Sequence, residues 1–204
     1  MTVYAKNLIT ALFAFIALAS TAWANLAPDA FVRQMTGDVL TAAKADKRVQ
    51  DGDTAAVVAL VDAKVMPHVD FETVTRSAVG PHWRSASAEQ RTKLQAEFKS
   101  LLVRVYAGAF SQIKDQTVEI TKTQAAPGGS EVVVQSEVRG AGDPVKLDYR
   151  LLNASGQWKI IDVNVGGIWL VTSYRSQFAP ILGKGGIDAL IAELDKVNKQ
   201  PPKS

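Results

Sequence analysis

The stretch VKLDYRLLNASGQWKIIDVNVGGIWLVTSYRSQF, residues 145–178, decides the fold class, because its hydrophobic period changes inside it. At its start Val145, Leu147, Tyr149 and Leu151 alternate with Lys146, Asp148 and Arg150, the pattern of a half-buried strand with an apolar and a polar face. Asn153-Ala154-Ser155-Gly156 reads as a hairpin turn. The next run, residues 158–165, loses phase: Trp158 and Ile160 fall on one face, Val163 and Val165 on the other. A bulge near Ile161, or burial of both faces, accounts for that. After Gly166-Gly167 the spacing turns helical, with Leu170, Val171, Tyr174, Phe178 and Ile181 in one stripe. Gly183-Lys184-Gly185-Gly186 interrupts the stripe, and residues 187–197 form a last amphipathic helix.

Upstream, Val118 and Ile120 alternate with polar residues, Pro127-Gly128-Gly129 marks a turn, and Val132, Val134 and Val138 share a strand face. A second turn, GAGDP, precedes Val145. Short turns between successive strands give an antiparallel meander of about four strands. Helices come before it. Pro28-Asp29 opens one with Phe31, Val32, Met35, Val39 and Leu40 on its stripe. Asp53 or Thr54 caps a second, carrying Val57, Leu60, Val61 and Val65 and ended by Met66-Pro67-His68. Asp70 caps a third that reaches Val79 and Gly80. Ser87-Ala88-Glu89-Gln90 is a capping box ahead of a long helix with Leu94, Phe98, Leu101, Leu102, Val105, Tyr106 and Ala109 on one side. Helices, a curled antiparallel sheet, then helices packed back make an α+β fold.

The N-terminus is set apart from that fold. Lys6 is the only charge before Asp29, residues 8–19 form an apolar run interrupted only by Thr10, and Ala22-Trp23-Ala24 is a small-x-small site. This is the order of a secretory signal peptide over residues 1–24, and the apolar run is shorter than the roughly 20 residues a membrane span needs. Residues 25–199 then form one domain, followed by a disordered tail at 200–204. Loss of Lys6 takes the formal charge from +3 to +2, too low a density for a phosphate-neutralising nucleic-acid face. The chain has no cysteine, so an exported product is held by packing alone, as suits the periplasm.

Little points to catalysis. His68 and His82 are the only histidines, no metal-ligand spacing occurs, and no G-x-S-x-G elbow is present. Gly183-Lys184-Gly185-Gly186 fits neither a P-loop nor a dinucleotide loop, since Asp stands at position 188. Asp148 and Asp162 are the carboxylates best placed for chemistry. Asp148 lies on a polar strand face, and Asp162 is read as structural, paired with an arginine or with a backbone N–H near Gly166.

Two extended blocks carry a family resemblance. The first holds Pro67, Asp70, Phe71, Gly80, Trp83, Arg84, Gln90, Phe98, Leu101, Leu102 and Tyr106. The second holds Trp158, Asp162, Val163, Gly167, Tyr174, Arg175, Gln177, Phe178, Gly186 and Leu190. In that order behind a signal peptide, the chain resembles the MlaC, or toluene-tolerance, family of periplasmic phospholipid-binding proteins. Trp169 departs from the family, which commonly has a small polar residue there, so no role transfers to it.

The resemblance implies a deep apolar pocket that takes phospholipid acyl chains as cargo, with no cofactor, no metal and no enzyme activity. It also implies a shuttle between an outer-membrane MlaA-type lipoprotein complex and an inner-membrane ABC transporter with an MCE-domain, MlaD-type subunit, which maintains outer-membrane lipid asymmetry. On this reading Val79, Phe98, Leu102, Tyr106, Val134, Leu147, Tyr149, Leu151, Val163, Val165, Leu170, Val171, Tyr174 and Phe178 wall the pocket. Asp162, Arg175 and Gly167 are structural: Gly167 lets the chain turn from sheet to helix, and Arg175 pairs with a carboxylate such as Asp162. Two other classes fit a curled sheet with a pocket: an isomerase or hydrolase of a small apolar molecule, and a binding protein for a different apolar ligand.

Overall fold

A computed structural model describes residues 26–126 and 130–200; the expected signal peptide, the expected turn at Pro127-Gly128-Gly129 and residues 201–204 lie outside the described residues. The elements run α1 (Pro28–Ala45), α2 (Lys47–Gln50), α3 (Thr54–Lys64), a 3-10 turn (Met66–His68), α4 (Phe71–Val79), a second 3-10 segment (Gly80–Ser85) and α5 (Ala88–Ser111). Then come β1 (Thr117–Ala125), β2 (Glu131–Arg139), β3 (Val145–Ala154), β4 (Gln157–Val165), β5 (Ile168–Trp169) and α6 (Leu170–Lys199).

The helix starts follow from their capping residues. The Asp53 carboxylate accepts from the N–H groups of Ala55 (2.8 Å) and Ala56 (3.2 Å), and Asp70 accepts from Thr73 N–H at 2.9 Å. The capping box of α5 is complete: Ser87 Oγ accepts from Gln90 N–H at 3.1 Å, and Gln90 Oε1 accepts from Ser87 N–H at 2.9 Å. α6 has no cap from its own flank, because Trp169 stands at its N-cap. The cap comes from the sheet instead: Asp162 Oδ1 accepts from Val171 N–H at 3.0 Å.

The sheet is antiparallel in the order β1-β2-β3-β4-β5, one strand more than the meander of about four. Gly166 (φ 60°) and Gly167 (φ 94°) form a two-residue hairpin that sends Ile168 back beside Val165 and Trp169 beside Asn164. Positive φ at both positions suits glycine, and the turn supplies the fifth strand before the helix begins. The phase loss in β4 is a bulge at Ile161: Arg150 pairs with Asp162, while Leu151 pairs with Ile160. The extra residue brings Val163, opposite Tyr149, onto the same face as Ile160, not the opposite one. Asp148 is also not a solvated strand residue. It is buried, and its Oδ1 accepts from Ser136 N–H at 3.1 Å, beside the irregular β1–β2 register.

Three apolar clusters hold the layers. α4, α5 and α6 enclose Ala78, Leu94, Phe98, Phe178 and Leu190. α1 lays Phe31, Val32 and Met35 on the sheet face formed by Val134, Tyr149, Leu151 and Ile160. α1, α2 and α3 close around Ala43, Val49, Val57 and Leu60 and reach α5 through Val103. Thus α5 is covered on two sides. Val105, assigned to its single stripe, is 54% exposed, and Val103 takes the buried position. The expected loop at 183–186 shrinks to one break, Gly186 at φ 67° and ψ −158°, inside an otherwise continuous α6. Gln200 caps α6, and its carbonyl accepts from Arg104, so the first residue of the expected tail is tied to the fold.

Candidate functional site

Where the three clusters meet they leave a cavity of about 290 Å³. α5 supplies Phe98, Lys99, Leu102, Val103, Tyr106 and Phe110, and α3 with its following turn supplies Val61, Val65 and Met66. Val69, Phe71 and Val74 close one end, Met35 comes from α1, and Leu170 and Val171 come from the first turn of α6. The sheet contributes Leu147, Tyr149, Ile160, Asp162 and Val163. Among the described residues Lys99 and Asp162 are the only charged side chains that line it, so what it can do is shelter hydrocarbon.

Of the fourteen expected wall residues, Phe98, Leu102, Tyr106, Leu147, Tyr149, Val163, Leu170 and Val171 line this cavity. The other six do not. Val79, Tyr174 and Phe178 pack in the helical cluster behind the wall, where Phe98 meets the Tyr174 ring at 5.0 Å and the Phe178 ring at 5.2 Å, both edge-on. Val134 and Leu151 are covered completely by α1 and neighbouring strands. Val165 sits at the end of β4 beside Ile168. The stripe of α6 therefore divides: its first turn faces the cavity, and its later turns face α4 and α5. Met35, Val61 and Val65 are wall positions that periodicity places on helix stripes, and Met66 is one that the sequence marks only as part of the stop ending its helix. A buried stripe looks the same whether its neighbour is a side chain or a void, so only the approach of α3 to the sheet distinguishes them.

Two of the three expected structural residues, Asp162 and Arg175, behave differently from each other. Asp162 is buried and accepts backbone N–H donors from Val163 (2.9 Å) and Val171 (3.0 Å). Burial pushes its carboxyl above the ordinary value; the two N–H donors, Arg150 and Arg175 oppose the shift. Arg175 does not bond Asp162. Its Nε and Nη2 reach the Ser77 carbonyl at 2.8 and 2.6 Å, which ties α6 to α4. Burial also raises the Tyr106, Tyr149 and Tyr174 hydroxyls, the last to about 12, so all three stay neutral beside the apolar wall. Trp169 pairs with Asn164, faces away from the cavity and lies under the Arg150 guanidinium at 4.8 Å.

A second depression of about 740 Å³ lies between α5 and α6. It is an open groove lined mainly by polar residues, two pairs of which bond each other: Gln90 Nε2 donates to Asp188 at 2.7 Å, and Lys199 pairs with Asp195 at 2.7 Å. Its solvation makes it a poor host for an apolar guest. Among the described residues no group of His, Cys, Asp and Glu could hold a metal ion, and no helix is long and apolar enough to cross a membrane.

The model of the family described as MlaC protein matches residues 33–196. The chain belongs to the MlaC protein family. A solved structure of a phospholipid-binding protein from Ralstonia solanacearum in complex with a phospholipid superposes with a TM-score of 0.81 at 40% identity, covering 85% of this chain and 97% of that one. The intermembrane phospholipid transport system binding protein MlaC of Haemophilus influenzae is 25% identical over 185 residues, 89% of this chain and 86% of its own length. A toluene tolerance protein of Pseudomonas putida is 26% identical over 162 residues, 79% of this chain and 75% of its own.

Proposed function

We propose that this MlaC-family chain is a periplasmic phospholipid carrier that holds acyl chains in the cavity between α3, α5 and the sheet. It would pass lipid between an outer-membrane MlaA-type lipoprotein complex and an inner-membrane ABC transporter with an MlaD-type MCE subunit, and so maintain outer-membrane lipid asymmetry. The observation that carries the reading is the cavity itself, walled almost entirely by hydrocarbon, in a fold shared with a lipid-bound relative. Two acyl chains hold on the order of 30 methylenes, and exposing them to water costs roughly 0.8 kcal/mol each, more than about 20 kcal/mol in all. A carrier has to cover that surface, and it needs no catalytic group to do so.

The enzyme alternative draws on one feature, the buried Asp162 carboxylate at the cavity edge. Its Oδ1 is occupied by two backbone donors, which suits an anchor for α6 better than a base poised for a substrate proton. The test is transfer: protein stripped of lipid is mixed with vesicles carrying a fluorescent phosphatidylethanolamine and separated from them. Uptake near one lipid per protein, with the lipid recovered chemically unchanged, supports the carrier. No uptake, or recovery of a cleaved or isomerised product, overturns it.

A further inference from the structure

Lys99 is the single cationic side chain on the cavity wall. It lines the cavity and leaves 31% of its side chain in solvent, so it links the cavity wall to the surface. Its ammonium is not loose. Nζ lies 2.8 Å from Oδ1 of Asp62, whose side chain is 46% exposed. Lys99 belongs to α5 and Asp62 to α3, so the pair spans the gap between the helices whose Val61, Val65, Leu102 and Val103 form the wall beneath it.

An ion pair this exposed adds little to stability, because water competes for both partners. Its geometry suits exchange. A lysine ammonium has three donors, and one carboxylate oxygen leaves the others for a second anion. A lipid whose chains enter beneath Lys99 brings its phosphodiester to the surface at that point. Asp162, the carboxyl group on the wall, is acidic and cannot receive it.

We propose that Lys99 is the headgroup anchor of the cavity: its ammonium takes the lipid phosphodiester, and Asp62 is the counter-ion that holds it at the mouth when no lipid is bound. This rests on the carrier reading. It adds a recognition element to a purely apolar site, favouring phosphate-bearing lipids over neutral ones with the same chains. Asp62 competes with the phosphate, so it sets how readily lipid is released.

The test compares uptake of fluorescent-tailed phosphatidylglycerol and of diacylglycerol with identical chains, from vesicles at low salt, by stripped wild-type protein and the variants Lys99→Gln, Lys99→Arg and Asp62→Asn. Loss of a charge-assisted hydrogen bond lowers the phosphatidylglycerol-to-diacylglycerol ratio about tenfold in Lys99→Gln. Lys99→Arg keeps the ratio within about threefold of wild type, and Asp62→Asn, freeing the ammonium, raises it about threefold. The two variants that break the same ion pair thus move the ratio in opposite directions. A merely structural pair would move them together, and that result, or a ratio unchanged in both, overturns the proposal. Should Lys99→Gln not fold, a ratio in Asp62→Asn at or below wild type overturns it alone. Wild-type protein that takes up neither lipid sinks the carrier reading itself, which separates the two failures.

Discussion

Replacing Leu147 with Trp is the most informative single change to the wall. Leu147 lies on β3 opposite Val165, is half-buried, and lines the cavity from the sheet side. Tryptophan adds six heavy atoms. Placed in the cavity, they displace about six methylenes of guest at roughly 0.8 kcal/mol each, about 5 kcal/mol if the walls hold still. Some yielding is expected, so we set the loss at about 2–5 kcal/mol, a weakening of lipid retention from about 30-fold to several-thousand-fold. The fold should tolerate the indole at the low end of the usual overpacking cost of about 1–3 kcal/mol, because it enters existing space. The assay is lipid stoichiometry by native mass spectrometry of detergent-free protein, read beside a urea melt. A cooperatively folded Leu147→Trp protein that carries lipid at the wild-type ratio would refute the placement of the guest against β3.

Three further outcomes follow from the packing. Leu94 is fully buried in the helical cluster and absent from the cavity wall, so Leu94→Ala should lose about 2–5 kcal/mol in a urea titration while its folded fraction still takes up lipid. Gly186→Ala meets no atom within 4 Å, but its φ of 67° with ψ of −158° suits glycine alone, so chemical denaturation should show a cost of about 1–3 kcal/mol. Burial raises the Asp162 carboxyl above its ordinary 3.8, so the ionised form is disfavoured in the native state. Native stability should therefore fall as pH rises from 3.8 through the raised native value. Asp162→Asn, which keeps an oxygen for Val171 N–H, should flatten that window, and equal slopes for the two proteins would contradict the assignment.

Much of the fold can be read from local chemistry. Capping residues state where α3, α4 and α5 begin, and alternation states β1 to β3, because each signal is set within a few residues. The β4 bulge is foreshadowed by the broken phase at Ile161, but the face that Val163 takes depends on its partner Tyr149. The fifth strand escapes because a two-residue strand has no periodicity; the Gly166-Gly167 pair marks the turn without stating how the chain leaves it. Asp148 looks solvated from its alternation and is buried because a neighbouring strand offers Ser136 N–H. Arg175 looks like a partner for Asp162 and instead finds the Ser77 carbonyl, since α4 docks beside α6. The cavity is the least legible feature. Tyr174 and Leu170 share one stripe, yet only Leu170 reaches the void, a distinction made by the angle at which α6 leaves the sheet.

The central claim is that this chain carries phospholipid. The most direct measurement is native mass spectrometry of protein exported to the periplasm of a Gram-negative host and purified without detergent, with an organic extract of the same sample. The account predicts a bound mass of a diacyl phospholipid near one per protein, identified in the extract. A protein that arrives empty and stays empty when offered phospholipid vesicles would contradict it.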